Sequence, residues 1–327
     1  MTSRLPREVE EIAEAIRDMR IRGAGRIARA AARALMIAAR EYTGGSVEEF
    51  KRYMEEVARH LLETRPTAVS LPNAVNYVMN RLRAASPSSV EEARRIVVEA
   101  AEEFIEYSEA AVRRIGEIGS RLIETGDVVL THCNSSAVES ILRTAWRSGK
   151  RFRVYATETR PRFQGHITAR HLAEEGIPVT LIPDSAVLYV IERWVTKVIV
   201  GADTVAANGA VINKIGTSQI ALAAKTKGIP FIVATETYKF SPYTVTGQTV
   251  EIEERSPREV LPEPLPGVEV RNPAFDATPP EYIDMIVTER GIIPPKSASL
   301  VLWELFRRRP LDSGARLRME ESEPIPG

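Results

Sequence analysis

The sequence predicts an α/β protein, in which an all-helical N-terminal domain precedes a Rossmann-like domain built on a mostly parallel sheet with helices on both faces. Up to about Gly126, apolar residues recur at spacings of three and four, the period of amphipathic helices. Beyond it, short apolar runs alternate with longer helical segments, as in βαβ units. The change of period predicts two domains, residues 1–124 and residues 125–327.

Five helices are predicted in the N-terminal domain. Two of them begin after Ser46 and Ser89 with glutamates in the first turn, where acidic groups interact favourably with the positive end of the helix dipole. The predicted helices span Val9–Met19, Gly25–Arg40, Val47–Leu62, Leu71–Arg83 and Val90–Ile123.

Six strands and four helices are predicted in the second domain. The strands are Asp127–Thr131, Phe152–Ala156, Val179–Ile182, Lys197–Val200, Phe231–Ala234 and Ile283–Val287. The helices are Ala137–Arg147, Gly165–Glu175, Ser218–Lys227 and Ser297–Arg307. The proline-rich, acidic stretch between Phe240 and Thr278 is expected to be a long excursion or an oligomer contact. Parallel sheets bind ligands at the carboxyl ends of their strands, so Cys133, Asp184 and Asp203 are expected at one sheet edge.

Composition argues against two broad functional classes, although local charged patches remain possible. The 327 residues include 44 basic and 44 acidic side chains, which is not the strongly basic balance of a general nucleic-acid or membrane-surface binder. No run approaches the roughly 18 uninterrupted apolar residues of a membrane span, and the N-terminus has no apolar leader segment. A single cysteine excludes an internal disulfide. We therefore expect a cytoplasmic protein.

The single cysteine, Cys133, stands where the first predicted strand meets the helix that begins near Ala137. Backbone N–H groups and the positive end of the helix dipole would favour the thiolate there and lower its pKa from the ordinary value of about 8.5. The alternative is that Cys133 is a small buried apolar residue, which is the commoner role of a lone cysteine.

Asp203 ends the apolar run Val198–Ala202, at the tip of the fourth predicted strand. Apolar surroundings should raise the pKa of its carboxyl group and suit it to general acid catalysis. The alternative is a structural aspartate that caps the following turn.

Basic and glycine-rich residues lie at three predicted loop ends. Arg22 to Gly25 form a Gly-x-Gly turn that opens the second helix, which suits it to hold a phosphate with backbone donors and a guanidinium. An ordinary turn between helices, with a solvated arginine, is the alternative. For Arg65 and Lys239 the same two roles are open: each could bind a phosphate or be an ordinary surface residue. Separate basic residues suit an anionic sugar better than a polymer, which would need a continuous basic stripe.

No metal and no cofactor are expected. His132, His166 and His171 do not form a helical ligand pair with a carboxylate partner. A cysteine hydrolase is also disfavoured, because His132 is adjacent to Cys133 and would point to the other side of an extended segment. A histidine from elsewhere in the fold stays open as a partner for the cysteine.

Five segments together carry a specific pattern: THCN at 131–134, GADTVAANG at 201–209, NKIGT at 213–217, FDATPP at 275–280 and TERG at 288–291. They resemble the superfamily of the α, β and δ subunits of translation initiation factor 2B and methylthioribose-1-phosphate isomerase, and the resemblance covers essentially the whole chain. Residues 22–25 and 133–137 are most similar to the archaeal ribose-1,5-bisphosphate isomerases. The methylthioribose-phosphate enzymes typically have Asn-Ala-Gly after the cysteine, so Ser135 and Ser136 depart from them.

The resemblance implies conversion of α-D-ribose 1,5-bisphosphate to ribulose 1,5-bisphosphate, a step of archaeal AMP degradation that feeds a RuBisCO. It implies that the Cys133 thiolate moves a proton from C2 to C1 and that protonated Asp203 donates to the ring oxygen. The implied ligands of phosphates and hydroxyls are Arg22, Gly23, Ala24, Gly25, Arg65, Ser135, Ser136, Ala137, Asn213, Lys214 and Lys239. It further implies a homo-oligomer, either a dimer or a hexamer built as a trimer of dimers.

Two alternatives stay open. A regulatory subunit related to the initiation factor would bind a sugar phosphate or nucleotide and partner proteins without catalysis, and it would need neither Cys133 nor Asp203. A methylthioribose-1-phosphate isomerase would keep the mechanism and replace one phosphate by a thioether. The hydroxyls of Ser135 and Ser136 favour the bisphosphate.

Overall fold

Helices form the first part of the chain, as the sequence predicts. The computed structural model describes residues 5–65, 69–242, 244–245, 247 and 252–307. Its first five helices are α1 (Arg7–Arg17), α2 (Ala24–Glu41), α3 (Val47–Leu62), α4 (Ser70–Ala84) and α5 (Val90–Gly119). The first four begin and end within two residues of their predicted bounds. Helix α5 ends four residues early and continues as a 3-10 turn over Ser120–Leu122.

Serine side chains cap two of these helices. The hydroxyls of Ser46 and Ser89 accept hydrogen bonds from the amides of Glu49 and Glu92, each at 3.2 Å. Such a cap stabilises a helix by about 1 kcal/mol, and the glutamates of the first turn add a favourable interaction with the helix dipole. The two predicted helix starts are therefore confirmed.

The helical core is built around α2, whose alanine-rich sequence lets α4 and α5 pack closely on it. Its larger buried side chains include Phe50, Leu71, Met79 and Phe104. Tyr238, from far along the chain, completes this core. Burying one such side chain contributes about 1.5–3 kcal/mol. The division of the chain at residues 124 and 125 stays a prediction, because the last turns of α5 also pack on the sheet.

Seven strands form the main sheet: β1 (Val128–Thr131), β2 (Arg153–Thr157), β3 (Val179–Ile182), β4 (Lys197–Val200), β7 (Phe231–Ala234), β9 (Met285–Thr288) and β10 (Gly291–Ile293). Their spatial order is β3-β2-β1-β4-β7-β9-β10. All neighbours are parallel except β9 and β10. The first six follow the Rossmann order 3-2-1-4-5-6, so the order reverses between β1 and β4, where such sheets bind ligands. The predicted fold class is confirmed.

Helices cover both faces of this sheet because successive strand residues point to opposite sides. Val129, Ile199 and Ile232 pack in one apolar cluster with α5, α6 (Ser136–Arg147) and α7 (Gln164–Glu174). The adjacent residues Leu130 and Val198 pack in the other cluster. That second cluster contains α8 (Val187–Ile191), α9 (Thr217–Thr226) and α10 (Ala298–Arg307). No helix within the described ranges is long and apolar enough to cross a membrane.

A second, antiparallel sheet was not predicted. It consists of β5 (Thr204–Val205), β6 (Val211–Lys214) and β8 (Phe275–Thr278), with β6 in the middle. Strand β5 has two residues, and β6 pairs with a segment about 60 positions further along the chain, so neither gives a clear local pattern. This small sheet carries Asn213 and Lys214 to the carboxyl-terminal edge of the main sheet.

Candidate active site

The candidate site lies where the strand order reverses, between β1 and β4. Cys133 follows β1, and Asp203 follows β4. The two loops are packed together, since a methyl group added to Gly201 would lie 2.5 Å from Oγ of Ser135. Cys133 and Asp203 are close enough that the Asp203 carboxylate contributes to the electrostatics of the thiol. The structure therefore brings the two predicted catalytic residues together on neighbouring loops.

The backbone of Cys133 adopts the left-handed conformation, with a φ of 65°. For a residue that carries a Cβ this costs roughly 1–2 kcal/mol, so neighbouring groups must hold it there. The amide of Cys133 donates to Oγ1 of Thr159 at 2.9 Å, and Oγ1 of Thr168 donates to its carbonyl at 2.8 Å. Both peptide groups that flank the cysteine are thereby fixed.

Burial raises the pKa of the Cys133 thiol. The Lys214 ammonium and the amide of Asn134 oppose this shift, and Asp203 adds to it. The prediction that the start of a helix lowers this pKa is wrong. Ser135 caps α6 and accepts from the amide of Val138 at 3.4 Å, so the cysteine stands two residues before the cap, and desolvation has the larger effect.

Three basic side chains contact Phe275 or Glu253, and two of them, Lys214 and Arg255, act on the thiol. Lys214 Nζ lies 4.7 Å from the ring centroid of Phe275 and donates to the carbonyl of Ala274 at 2.9 Å. Arg65 and Arg255 bind the two carboxylate oxygens of Glu253, at 2.8 and 3.0 Å. Burial lowers the pKa of Lys214, and the two arginines hold the pKa of Glu253 low in spite of its burial.

Arg255 is a candidate site residue that the sequence analysis missed. It lies in the irregular stretch after Phe240, next to two glutamates, so nothing in its local sequence separates it from a surface arginine. Its guanidinium lies 5.6 Å from the Phe275 ring and opposes the rise in the pKa of Cys133 that burial causes. Gln164 was missed as well: it is buried at the start of α7, and its Oε1 has no hydrogen-bond partner among the described residues.

A second group of predicted ligands meets at the end of β7. Gly23, with a φ of 90°, caps α2, and a methyl group added to Gly25 would lie 3.0 Å from the Tyr238 hydroxyl and 3.3 Å from Glu236 Oε1. Lys239 Nζ lies 2.7 Å from Glu236 Oε2, and both side chains are buried. The turn formed by residues 22–25 and Lys239 are thus neighbours. Strands β7 and β4 are adjacent and parallel, so this group shares the sheet edge of Cys133.

The remaining predicted ligands lie in strand β6 and at the start of α6. Asn213 is buried, and its Nδ2 donates to Oγ1 of Thr217 at 3.1 Å. Ser136 is exposed in the first turn of α6, and Ala137 after it is buried. The Ser136 hydroxyl is therefore exposed at the start of a helix, where anions bind well.

The structure gives His132 a structural role. Its Nε2 donates to the carbonyl of Ile215 at 2.9 Å, and its Nδ1 lies 2.6 Å from Oγ1 of Thr157. Burial lowers the pKa of His132, which keeps the ring neutral. Asp184 accepts from the amides of Thr159 and Arg160 at 2.9 and 2.7 Å, so it supports the loop after β2. In the described part of the chain, no three His, Cys, Asp or Glu side chains are placed to hold a metal ion.

Residues 20–295 match the model of the initiation factor 2 subunit family. The chain is 58% identical over 299 residues to the ribose 1,5-bisphosphate isomerase of Archaeoglobus fulgidus, covering 91% of this chain and 93% of that protein. It is 53% identical over 307 residues to the enzyme of the same name from Thermococcus kodakarensis, covering 92% and 95%. Among solved structures, the 5-methylthioribose 1-phosphate isomerase of Pyrococcus horikoshii is similar, with a TM-score of 0.78, 34% identity and 92% and 88% coverage.

Proposed function

The chain belongs to the initiation factor 2 subunit family and is an aldose–ketose isomerase, and on this premise we propose that it converts α-D-ribose 1,5-bisphosphate to D-ribulose 1,5-bisphosphate. The observation that carries the proposal is the position of Cys133 and Asp203 on adjacent loops at the reversal of strand order, with Lys214 and Arg255 close enough to act on the thiol. Identity of 53–58% to enzymes named for this reaction supports it.

The proposed reaction needs one base and one acid. Protonated Asp203 donates its proton to the ring oxygen as the bond between that oxygen and C1 breaks. The Cys133 thiolate removes the proton from C2, which leaves an enol between C1 and C2, and then returns the proton to C1. The Asp203 carboxylate takes the remaining proton from the C2 hydroxyl as the ketone forms. Both side chains thereby return to their starting states.

Two groups of cations suit a substrate with two phosphates. One group is Lys214 with Arg65 and Arg255, and the other is Lys239 with the turn at residues 22–25. Guanidinium groups and backbone amides both bind phosphate oxygens well. The proposed ligands of phosphates and hydroxyls are Arg22, Gly23, Ala24, Gly25, Arg65, Ser135, Ser136, Ala137, Asn213, Lys214 and Lys239.

Two other functions fit the same family. A methylthioribose-1-phosphate isomerase would use the same acid and base, but it needs only one phosphate site, and the similarity to the solved enzyme of that name is 34% identity. A regulatory subunit would bind its ligand without chemistry, and it would not need Cys133 and Asp203 on neighbouring loops. The second group of cations and the catalytic pair therefore favour the bisphosphate isomerase.

We extend the proposal to the assembly and the setting of the enzyme. We expect a homo-oligomer, either a dimer or a hexamer arranged as a trimer of dimers, acting in the cytoplasm in AMP degradation and nucleotide salvage. Size-exclusion chromatography with light scattering measures the assembly directly. A monomer at micromolar concentration would contradict the proposed assembly, and it would leave the proposed reaction to its own test.

The reaction is tested by incubating the purified protein separately with ribose 1,5-bisphosphate and with methylthioribose 1-phosphate, and following ketose formation by NMR. We expect rapid turnover of the bisphosphate and little or none of the thioether. The reverse preference would identify a methylthioribose-phosphate enzyme. If a folded sample turns over neither compound, the alternative of a regulatory subunit that binds its ligand without catalysis would be favoured.

A further inference from the structure

A hydrogen-bonded support lies behind the candidate base, in the loop after β2. Thr159 is fully buried, and its Oγ1 accepts from the Cys133 amide at 2.9 Å. Thr159 is itself left-handed, with a φ of 62°. Its own amide donates to Oδ1 of Asp184 at 2.9 Å. Two residues in a costly backbone conformation therefore face each other across one hydrogen bond, and a carboxylate anchors the second of them.

The carbonyl of Ile215 decides which atom donates in each hydrogen bond of this support. The carbonyl of Ile215 only accepts, so Nε2 of His132 carries the proton and Nδ1 of the neutral ring is an acceptor. Oγ1 of Thr157 therefore donates to Nδ1, at 2.6 Å. The Thr159 hydroxyl has Oγ1 and the carbonyl of Thr157 as its acceptors, at 3.3 and 3.4 Å. Either choice leaves a lone pair of Thr159 for the Cys133 amide.

We propose that Thr159 is a positioning residue, whose hydroxyl oxygen holds Cys133 in the left-handed conformation that aims the thiol at the substrate. The proposal rests on the proposed role of Cys133 as the base. Without this acceptor, the partly buried Cys133 amide loses its hydrogen-bond partner, and the residue gains by relaxing to an ordinary negative φ. That relaxation turns the Cα–Cβ bond and moves the sulfur away from its present neighbours. Thr168 holds the other peptide group of Cys133 and would not restore the lost bond.

Three charged groups face the thiol and make its position measurable. They are Lys214 on β6, Asp203 after β4 and Arg255 in the stretch after Phe240. The two cations favour the thiolate and the carboxylate disfavours it. Lys214 has the largest effect of the three, so a thiol that moves away from it holds its proton more tightly.

The test compares Thr159→Val, which keeps the volume but loses the acceptor, with Thr159→Ser, which keeps the acceptor. Thr278→Val is the matched control, because Thr278 is equally buried and its hydroxyl has no hydrogen-bond partner among the described residues. The readouts are kcat and KM for ribose 1,5-bisphosphate, and the rate of alkylation by iodoacetamide against pH. Cys133 is the single cysteine of the chain, so the alkylation reports on it alone.

We expect Thr159→Val to lower kcat by about 10- to 100-fold, the size of effect that a misplacement near 1 Å produces, with little change in KM. Its alkylation profile should move to higher pH. Thr159→Ser should restore most of both properties, and Thr278→Val should match the parent. A kcat and an alkylation profile of Thr159→Val that equal those of the parent would overturn the proposal. Equal losses in the serine and valine variants would also overturn it, because they would indicate a role in packing.

A second variant covers failure of Thr159→Val to fold. Thr159→Ala also removes the acceptor of the Cys133 amide and puts no methyl group in the place of the hydroxyl, so we expect the same losses as for Thr159→Val. A folded Thr159→Ala with unchanged kcat and alkylation would overturn the proposal. The alkylation readout needs no substrate, so it decides the role of Thr159 even if the parent protein fails to isomerise the bisphosphate.

Discussion

Cys133 is the residue at which local geometry and electrostatics oppose the chemistry that it is proposed to perform. Its left-handed backbone is costly, and burial raises the pKa of its thiol. Lys214 and Arg255 favour the thiolate and offset part of the burial. A general base is useful when its pKa lies near the working pH, so these two cations matter most for the proposed reaction.

The first prediction concerns the catalytic pair itself. Cys133→Ser should lower kcat by about 10²- to 10⁴-fold, since a serine hydroxyl is a far weaker acid than a thiol and supplies no base at neutral pH. Asp203→Asn should lower it by a similar factor, because an amide does not donate a proton to the ring oxygen. Steady-state kinetics measure both effects, and calorimetric titration with the substrate should show nearly unchanged affinity. A Cys133→Ser enzyme as fast as the parent would show that the base is another group.

The second prediction concerns pH. The thiolate is the form that iodoacetamide alkylates, and its pKa is raised, so the alkylation rate of Cys133 should increase as pH rises from 7 to 9, by up to tenfold per unit below the pKa. Arg255→Gln removes one of the cations that favour the thiolate, and the rising limb should move to still higher pH. Arg193→Gln is the matched control, since Arg193 is exposed and lies over the ring of Tyr189. A limb that falls with pH, or that Arg255→Gln leaves in place, would contradict this assignment.

At the scale of the elements, close backbone contacts set the geometry of the candidate site. Gly165 lies in the first turn of α7, and a methyl group added there would lie 1.7 Å from the carbonyl oxygen of Thr157. Gly201, in the loop after β4, is similarly close to the loop after β1, because a methyl group added there would lie 2.5 Å from the side-chain oxygen of Ser135. These two glycines allow the strand ends and the helix starts to approach each other closely. The approach sets the positions of Thr157 and of the loop that carries Cys133.

The third prediction tests this contact. Gly165→Ala should destabilise the protein by about 1–3 kcal/mol, because the nearest atom belongs to the backbone and does not move aside. It should also lower kcat, since the shift reaches Thr157 and Thr159. Gly45→Ala is the matched control, because a methyl group at Gly45 meets nothing within 4 Å. Urea unfolding and steady-state kinetics measure the two effects. Equal midpoints for the two variants would show that α7 adjusts freely.

At the scale of the whole molecule, polar contacts tie the helices of the first part to the ends of β7 and β9. The Tyr107 hydroxyl, on α5, donates to Oε1 of Glu289 at 2.6 Å, and Thr237 donates to the same carboxylate. Arg29 on α2 donates to Ser108, whose hydroxyl lies 3.1 Å from that of Tyr238. These contacts hold the helices beside the sheet edge that carries the candidate site. In the proposed reaction, helices at this position would exclude water from the enol.

The fourth prediction tests this connection. Tyr107→Phe should destabilise the protein by about 1–3 kcal/mol, because the partly buried Glu289 loses a hydrogen-bond donor. Burial raises the pKa of the Tyr107 hydroxyl, so it remains a donor throughout the neutral range. Tyr189→Phe is the control, since Tyr189 is 52% exposed. Urea unfolding measures the difference. A loss confined to kcat, with unchanged stability, would show that the contact orders the site without joining the two parts.

Local sequence patterns specify the order and type of the main elements, and through them the meeting of Cys133 and Asp203. Helical and strand periods are local properties, and strands that alternate with helices form a parallel sheet whose loops share one edge. The second sheet, the place of Arg255 and the direction of the thiol pKa shift became visible in the folded protein alone. Those depend on segments far apart in the chain, because strand pairing and desolvation are set by whatever packs against a residue in the folded protein.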